Sequence, residues 1–422
     1  MTDRADIRAA VEARLKRRHR AEARFRIYGL LAIAVAIGFL AILLGRVIQQ
    51  GHTAFWTHSV ELPVLIDPAQ VDPAYPAGAN FDQIIAEQLA VRLGAGDAPE
   101  AVAKVRGLLS PDMGFQIADR LREDPSLIGR TLDIEAPVSD EADLYLKGEI
   151  ERASPEDERN LSDRQLDWLD RMQADGLVEA HFNSGFFTRS DSTQPETAGL
   201  LGAIVGSALM LLVTAVLAIP IGVGAAVWLE EFAPKNRWTD VIEVNINNLA
   251  AVPSIVYGLL GLAVFIGWMG LPRSSPLVGG IVLALMALPT VIIATRASLK
   301  AVPPSIRDAA LALGASRTQT VFAHVLPLAL PGVMTGAIIS LAHALGETAP
   351  LLMIGMVSFV PGVPEGILSA AGALPTQIFI WENASEQAFH ERTAAAIIVL
   401  LLFMIVMNAV AIVLRSRLER RW

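Results

Sequence analysis

Ser305-Ile-Arg-Asp-Ala-Ala-Leu-Ala-Leu-Gly314, then Val325-Leu-Pro327, then His343-Ala-Leu-Gly-Glu-Thr-Ala-Pro350, is the stretch that decides the fold. A short, mostly polar helix pair sits between two long apolar segments, and the second segment carries a carboxylate, Glu347. Ser305 and Asp308 are spaced as a capping box, in which the hydroxyl accepts from an orphan backbone N–H and the acid reaches back. Ala309 and Ala310 keep the helix slim, and Gly314 is its natural stop because glycine accepts positive φ without penalty. Ser316 and Gln319 make a second capping box, and Pro327 is expected to end the second helix. Two short helices around a glycine hinge suit insertion into a groove on another protein. A helix pair lying on a membrane surface fits the same spacing.

Outward from this stretch the chain is apolar. Of 422 residues 53% are hydrophobic, the mean hydropathy is +0.46, and several runs reach the ~20 residues that cross a bilayer. Six spans are expected, at about 27–48, 199–229, 246–268, 277–295, 332–352 and 394–414. Arg14, Lys16, Arg17, Arg18, Arg20, Arg24 and Arg26 precede the first, which is too long for a cleaved signal and lacks a cleavage site. The positive-inside rule puts that arm in the cytoplasm. Lys235 and Arg237, then Arg296, Lys300, Arg307 and Arg317, then Arg415, Arg417, Arg420 and Arg421 fall on the same side, so both termini are cytoplasmic. Gly202 with Gly206, and Gly332 with Gly336, have the spacing that lets helices approach closely in lipid. The second span exceeds the hydrocarbon thickness, and Pro220 makes a kink plausible.

Net charge is −9, but residues 61–196 hold 28 Asp and Glu against 12 Lys and Arg, leaving the rest of the chain at +7. This implies three parts: residues 1–48, a basic arm and first helix; residues 49–197, an acidic periplasmic domain; and residues 198–422, a five-helix core with the cytoplasmic loop 296–331. Within the acidic part, 81–93 and 162–174 have helical periodicity, and Leu132, Ile134, Ala136 and Val138 alternate as in a strand, so an α+β insertion is expected. The fold class is an all-α polytopic membrane protein of six transmembrane helices with that insertion. There are no cysteines, which excludes disulfides and thiol chemistry. No metal-ligand cluster or Gly-x-x-x-x-Gly-Lys-Ser/Thr loop is present, so the chain is expected to be no enzyme and to hold no cofactor.

A carboxylate at membrane depth costs a few kcal/mol, so Glu347 needs a partner or a polar path. His343, one helical turn earlier, shares its face. Arg296, at the inner end of the fourth span, faces the path or snorkels to anchor its helix. Ser254, after Pro253 in the third span, donates to a cargo or bonds back to its own helix.

Asp308-Ala309-Ala310, Gly314 and Leu326-Pro327 resemble the EAA signature of ABC importer permeases, with aspartate in place of the usual glutamate and His324 where isoleucine is usual. Ala251-Val-Pro-Ser-Ile-Val-Tyr-Gly258, Gly346-Glu-Thr-Ala-Pro-Leu-Leu352 and Leu374-Pro-Thr-Gln-Ile378 are similar to the PstA permeases of phosphate importers, over about 195–422; the acidic insertion lies outside that pattern. The resemblance implies a permease subunit in the bacterial inner membrane. Its implied partners are a PstC-like permease, a PstB-like ATPase dimer that holds ATP-Mg, a periplasmic PstS-like binding protein and membrane lipid, with no nucleic acid. It also implies that Ser305, Asp308, Ala309, Ala310 and Gly314 couple to the ATPase, and that Glu347, His343, Arg296 and Ser254 line the pathway. Such permeases usually carry arginine at the position of His343; a histidine makes the charge there depend on pH. Two rivals remain: a permease for another oxyanion such as molybdate or sulfate, and a membrane sensor with a periplasmic ligand domain.

Overall fold

The computed structural model describes residues 3–418 except 73, 74, 76, 77, 112, 157 and 158. Arg420 and Arg421 of the basic tail lie outside the described residues, as do the side chains of Arg14, Lys16, Arg17 and Arg20. The first helix, α1, runs without a break from Asp3 to Gly51, so the basic arm continues the helix of the first span. The sheet unit follows: β1 (Trp56–Leu65), α2 (Phe81–Arg92), α3 (Pro99–Arg106), α4 (Met113–Glu123), β2 (Thr131–Pro137), α5 (Asp140–Leu146), α6 (Asp163–Ala174) and β3 (Val178–Phe182). The strands are antiparallel in the order β2-β1-β3. Val60, Leu62 and Val64 of β1 and Ile134 and Ala136 of β2 are buried, as alternation demands of a sheet covered on one face. Their core is completed by Ile84, Ile85 and Leu89 of α2 and Leu166, Leu169 and Met172 of α6. Both helical periodicities and the strand read from sequence are therefore present, although Val91 of α2 points outward, 73% exposed. At the start of α6 the Gln165 side chain reaches back and accepts from the Ser162 N–H at 3.0 Å.

After the short α7 (Gly185–Thr188), the membrane part begins with α8 (Leu201–Val227), α9 (Arg237–Leu249), α10 (Ser254–Leu260) and α11 (Pro276–Lys300). It ends with α12 (Pro304–Ala312), α13 (Arg317–Thr320), α14 (Leu326–Gly346), α15 (Ala349–Met353), α16 (Leu374–Glu382) and α17 (Gln387–Leu418). Among the described residues five helices are long and apolar enough to cross a membrane, or six if the bent pair around α9 and α10 is one span. α8 and α11 pack closely along their length, while α1 and α17 leave most of their apolar surface open, as lipid-facing helices do.

Three expectations change. The third span is not one helix from 246 to 268: α9 and the α10 segment meet at 103°. Pro253 has no N–H to continue the ladder, and the Tyr257 hydroxyl donates across the bend to the Leu249 carbonyl at 2.8 Å. Pro327 does not stop its helix. A π-helical stretch, Val321–Val325, widens the ladder just before it, so α13 runs into α14 as one 30-residue span, Arg317–Gly346. The glycine pairs also divide. Gly332 and Gly336 press α14 against Ser298 and Ala294 of α11, the expected helix contact, whereas Gly202 and Gly206 make room for the 362–372 segment.

The sheet unit is joined to the N-terminal end of α17 by buried charge. Lys147 Nζ lies 2.7 Å from Asp143 Oδ2 and 2.9 Å from Glu391 Oε1, and His58 Nδ1 lies 2.8 Å from Asp143 Oδ1. Burial pushes Asp143 upward, but the His58 hydrogen bond and the Lys147 charge outweigh it and hold the carboxyl below its ordinary range. Arg392 donates to the Ala198 carbonyl at 3.0 Å, and Trp381 Nε1 to Asp191 at 3.0 Å. Nearby, burial, the hydrogen bond with Glu141 and repulsion from Glu141 and Glu196 push Asp140 up to about 8. Asp140 then keeps a proton in the fold that the unfolded chain releases near 3.8, so this group makes stability fall as pH rises from about 4 to about 8. Asp140→Asn is expected to flatten that slope. Melting temperatures at pH 5 and pH 8 check it: the parent loses more than the variant.

Candidate functional site

The slim helix α12 opens differently from the sequence expectation. Pro303 is its N-cap and Pro304 its first residue, so Ser305 lies inside the first turn and its capping box with Asp308 does not form. Proline suits that place, since its fixed φ is helical and its missing N–H would be an orphan anyway. Ser305 and Asp308 are thereby left on the open face with Ala309, and Leu313 is 90% exposed, while Ala310 turns inward. The end is as read: Gly314 has φ +87°, its N–H bonds the Leu311 carbonyl at 2.9 Å, and the Ala315 N–H bonds the Ala310 carbonyl at 3.1 Å. That is the two-bond glycine stop of a helix. Ser316 and Gln319 form their capping box, with bonds of 2.9 and 3.2 Å.

Glu231 was not singled out by sequence reasoning. α8 continues into a π-helical turn, Trp228–Phe232, which presents Glu230 and Glu231. Arg307 of α12 meets Glu231 at 2.6 Å and also donates to the Leu299 and Val302 carbonyls at 2.9 and 2.8 Å. Arg317 of α13 lies over the Phe232 ring at 5.6 Å. The helix pair is thus fastened to the end of α8 on one side and open on the other. Two adjacent acids closing a 30-residue apolar run were the signal available in the sequence.

Arg296 is held by acids from two elements. Its guanidinium lies 2.6 Å from Glu243 of α9 and 3.4 Å from Glu230, and Lys300 adds a contact to Glu230 at 3.6 Å. Glu347 is not within a continuous helix. It caps α14 in extended conformation (φ −79°, ψ 119°), because Pro350 lacks the N–H that the Gly346 carbonyl would need. His343 Nε2 lies 3.2 Å from Glu347 Oε1; the histidine is 70% exposed and the glutamate 21%. Ser254 is the first residue of α10, half-buried, just past the 103° bend. α10 in turn packs on α15, with Gly258 against Pro350 and Met353. The structure thus unites His343 and Glu347 directly, joins the Ser254 helix to the helix that follows Glu347, and pairs Arg296 with other carboxylates.

Residues 218–422 match the family described as binding-protein-dependent transport system inner membrane component, and residues 12–156 match a domain of unknown function, DUF3333. The chain is 36% identical over 168 residues to the probable ABC transporter permease protein YqgI of Bacillus subtilis (strain 168), covering 40% of this chain and 56% of that one. It is 32% identical over 242 residues to phosphate transport system permease protein PstA 1 of Mycobacterium tuberculosis (strain CDC 1551 / Oshkosh), covering 56% of this chain and 78% of that one. Among solved structures, the inward-facing MetNI methionine ABC transporter aligns with 52% of this chain and 96% of its own at 18% identity, with a TM-score of 0.43. With its long apolar helices and the glycine-stopped helix α12 between two of them, the chain belongs to the inner-membrane permeases of binding-protein-dependent ABC importers, among the PstA-like members of that family.

Proposed function

We propose that the chain is one of two permeases in an ATP-driven importer of inorganic phosphate, with half of the pathway on this subunit. The 32% identity across 78% of a phosphate transport permease carries the cargo assignment. A PstC-like permease completes the pathway, a PstB-like ATPase dimer hydrolyses ATP-Mg, and a PstS-like protein delivers phosphate from the periplasm. Both termini are cytoplasmic in this reading, because the basic residues of α1, α12 and α17 then share one side.

The open face of α12, with Ser305, Asp308 and Ala309, enters a groove on the ATPase. Gly314 ends it, and Arg307 passes its movement to α8 through Glu231. His343 and Glu347 lie on the path at the break after α14, with Ser254 on the neighbouring bend. Arg296, held between Glu230 and Glu243, ties α11 to α8 and α9 rather than offering a free charge to phosphate.

Glu347→Gln keeps the size and removes the charge that faces His343. Loss of a charge-assisted contact of about 1.5–3 kcal/mol corresponds to a roughly ten- to hundredfold fall in uptake, with normal assembly. Unchanged uptake kinetics would return Glu347 to a structural role. The reading as a whole is tested by labelled phosphate uptake in cells lacking and regaining this chain, with excess sulfate or molybdate as competitor. Restored uptake that resists both competitors is expected; dependence on another oxyanion moves the cargo, and no dependence on the chain removes the transport assignment.

A further inference from the structure

The end of the sheet next to the spans is aromatic and uncovered. Trp56, first in β1, and Phe182, last in β3, are register partners that meet edge to face at 6.1 Å. They are 51% and 52% exposed. Phe187 stacks behind them, 6.1 Å from Phe182 and 5.9 Å from Phe55. Phe186, fully buried, follows at 5.4 Å from Phe187, and Trp381 at 6.1 Å from Phe186. A column of rings therefore runs from the buried core to an open tip, on a unit whose remaining surface is strongly acidic.

Position says what covers the tip. The apolar run of α1 ends at about Ile48 and the helix itself at Gly51; one short 3-10 turn at Thr53–Phe55 intervenes, and Trp56 follows. Phe39, Ile42 and Ile48 of α1 are each more than half exposed, the surface that faces lipid. Arg46 is five residues before Gly51, about 7–8 Å along the axis, where a long cation snorkels to headgroups. The tip thus continues the lipid-facing surface of α1 at headgroup level. Tryptophan, with an apolar body and a polar N–H, concentrates in that layer, and the unit's excess of acids gives it no overall attraction to anionic lipid.

We infer that the Trp56–Phe182 pair is a foot on which the sheet unit stands in the lipid headgroup layer. This rests on α1 crossing the membrane and not on the identity of the cargo, so its failure would leave the phosphate assignment untouched. With the Lys147 contact to Glu391 as a second point of attachment, the foot fixes the tilt of the unit.

The chain has no cysteine, so a single one can carry a spin label in the full-length protein in nanodiscs. Trp56→Cys and Phe182→Cys test the tip independently of each other. Val91→Cys marks an open face of the sheet unit and Phe39→Cys the apolar run of α1. Accessibility to oxygen relative to a water-soluble nickel chelate is expected to rise from 91 to the tip and again from the tip to 39. A tip that matches 91 stands in water, and a tip closed to both reagents is covered by protein; either result overturns the proposal.

Discussion

Gly314→Val is expected to weaken co-purification of the ATPase roughly tenfold, and phosphate uptake with it, while the chain still inserts. A φ of +87° is where glycine sits freely and a β-branched residue does not, and a left-handed conformation costs an ordinary L-residue roughly 1–2 kcal/mol. No atom lies within 4 Å of where a Cβ at 314 would be, so the penalty is conformational and not a clash. The segment escapes it by leaving positive φ, which breaks the bonds from Gly314 and Ala315 to Leu311 and Ala310 and swings Leu313. Weakening of about tenfold for each 1.4 kcal/mol follows for whatever reads that helix end. Gly314→Asn is the control, because asparagine tolerates the left-handed region; it is expected to keep both ATPase and uptake. Equal behaviour of the two variants would sink the argument.

Gly314 was legible because one residue type at one place decides the backbone. The long spans were legible for a similar reason: apolar runs of that length have few alternatives in lipid. The errors fall where proline meets a helix. Pro327 was read as a stop, yet the π-helical turn at Val321–Val325 absorbs it. Pro350 breaks α14 and moves Glu347 from a helix interior to a helix end. Whether proline ends, bends or is absorbed depends on the neighbouring helices that satisfy the freed carbonyls, and spacing carries no record of those. The charges were harder still. Glu230, Glu231 and Glu243 meet Arg296 and Arg307 across 53 to 76 residues of sequence, and the Lys147–Glu391 contact spans 244. A local pattern cannot announce such pairs.

Lys147→Met should destabilise the sheet unit strongly. The side chains of Lys147, Asp143 and Glu391 are 6%, 9% and 9% exposed, so removing the cation leaves dehydrated Glu391 without its ion-pair partner and Asp143 with His58 alone. Breaking a buried pair in this way costs about 3–5 kcal/mol. Glu391→Gln leaves the Lys147–Asp143 contact in place and should cost less. Thermal melts of the purified complex, and the protease resistance of residues 52–198, should rank parent, Glu391→Gln and Lys147→Met in that order. A Lys147→Met protein as stable as one altered at exposed Val91 would show that the charges are hydrated after all.

The Lys147–Glu391 contact also sets a timetable for biogenesis. On the proposed topology, residues 52–198 leave the cytoplasm early, yet Trp381, Glu391 and Arg392 are made much later. At about 5–20 residues per second, the 244 residues between Lys147 and Glu391 take on the order of tens of seconds to synthesise. Throughout that interval the exported unit has its internal core but lacks its attachment to α17. A chain stalled or truncated before α17 would therefore display a folded unit held by α1 and its aromatic foot alone, without the Lys147–Glu391 contact.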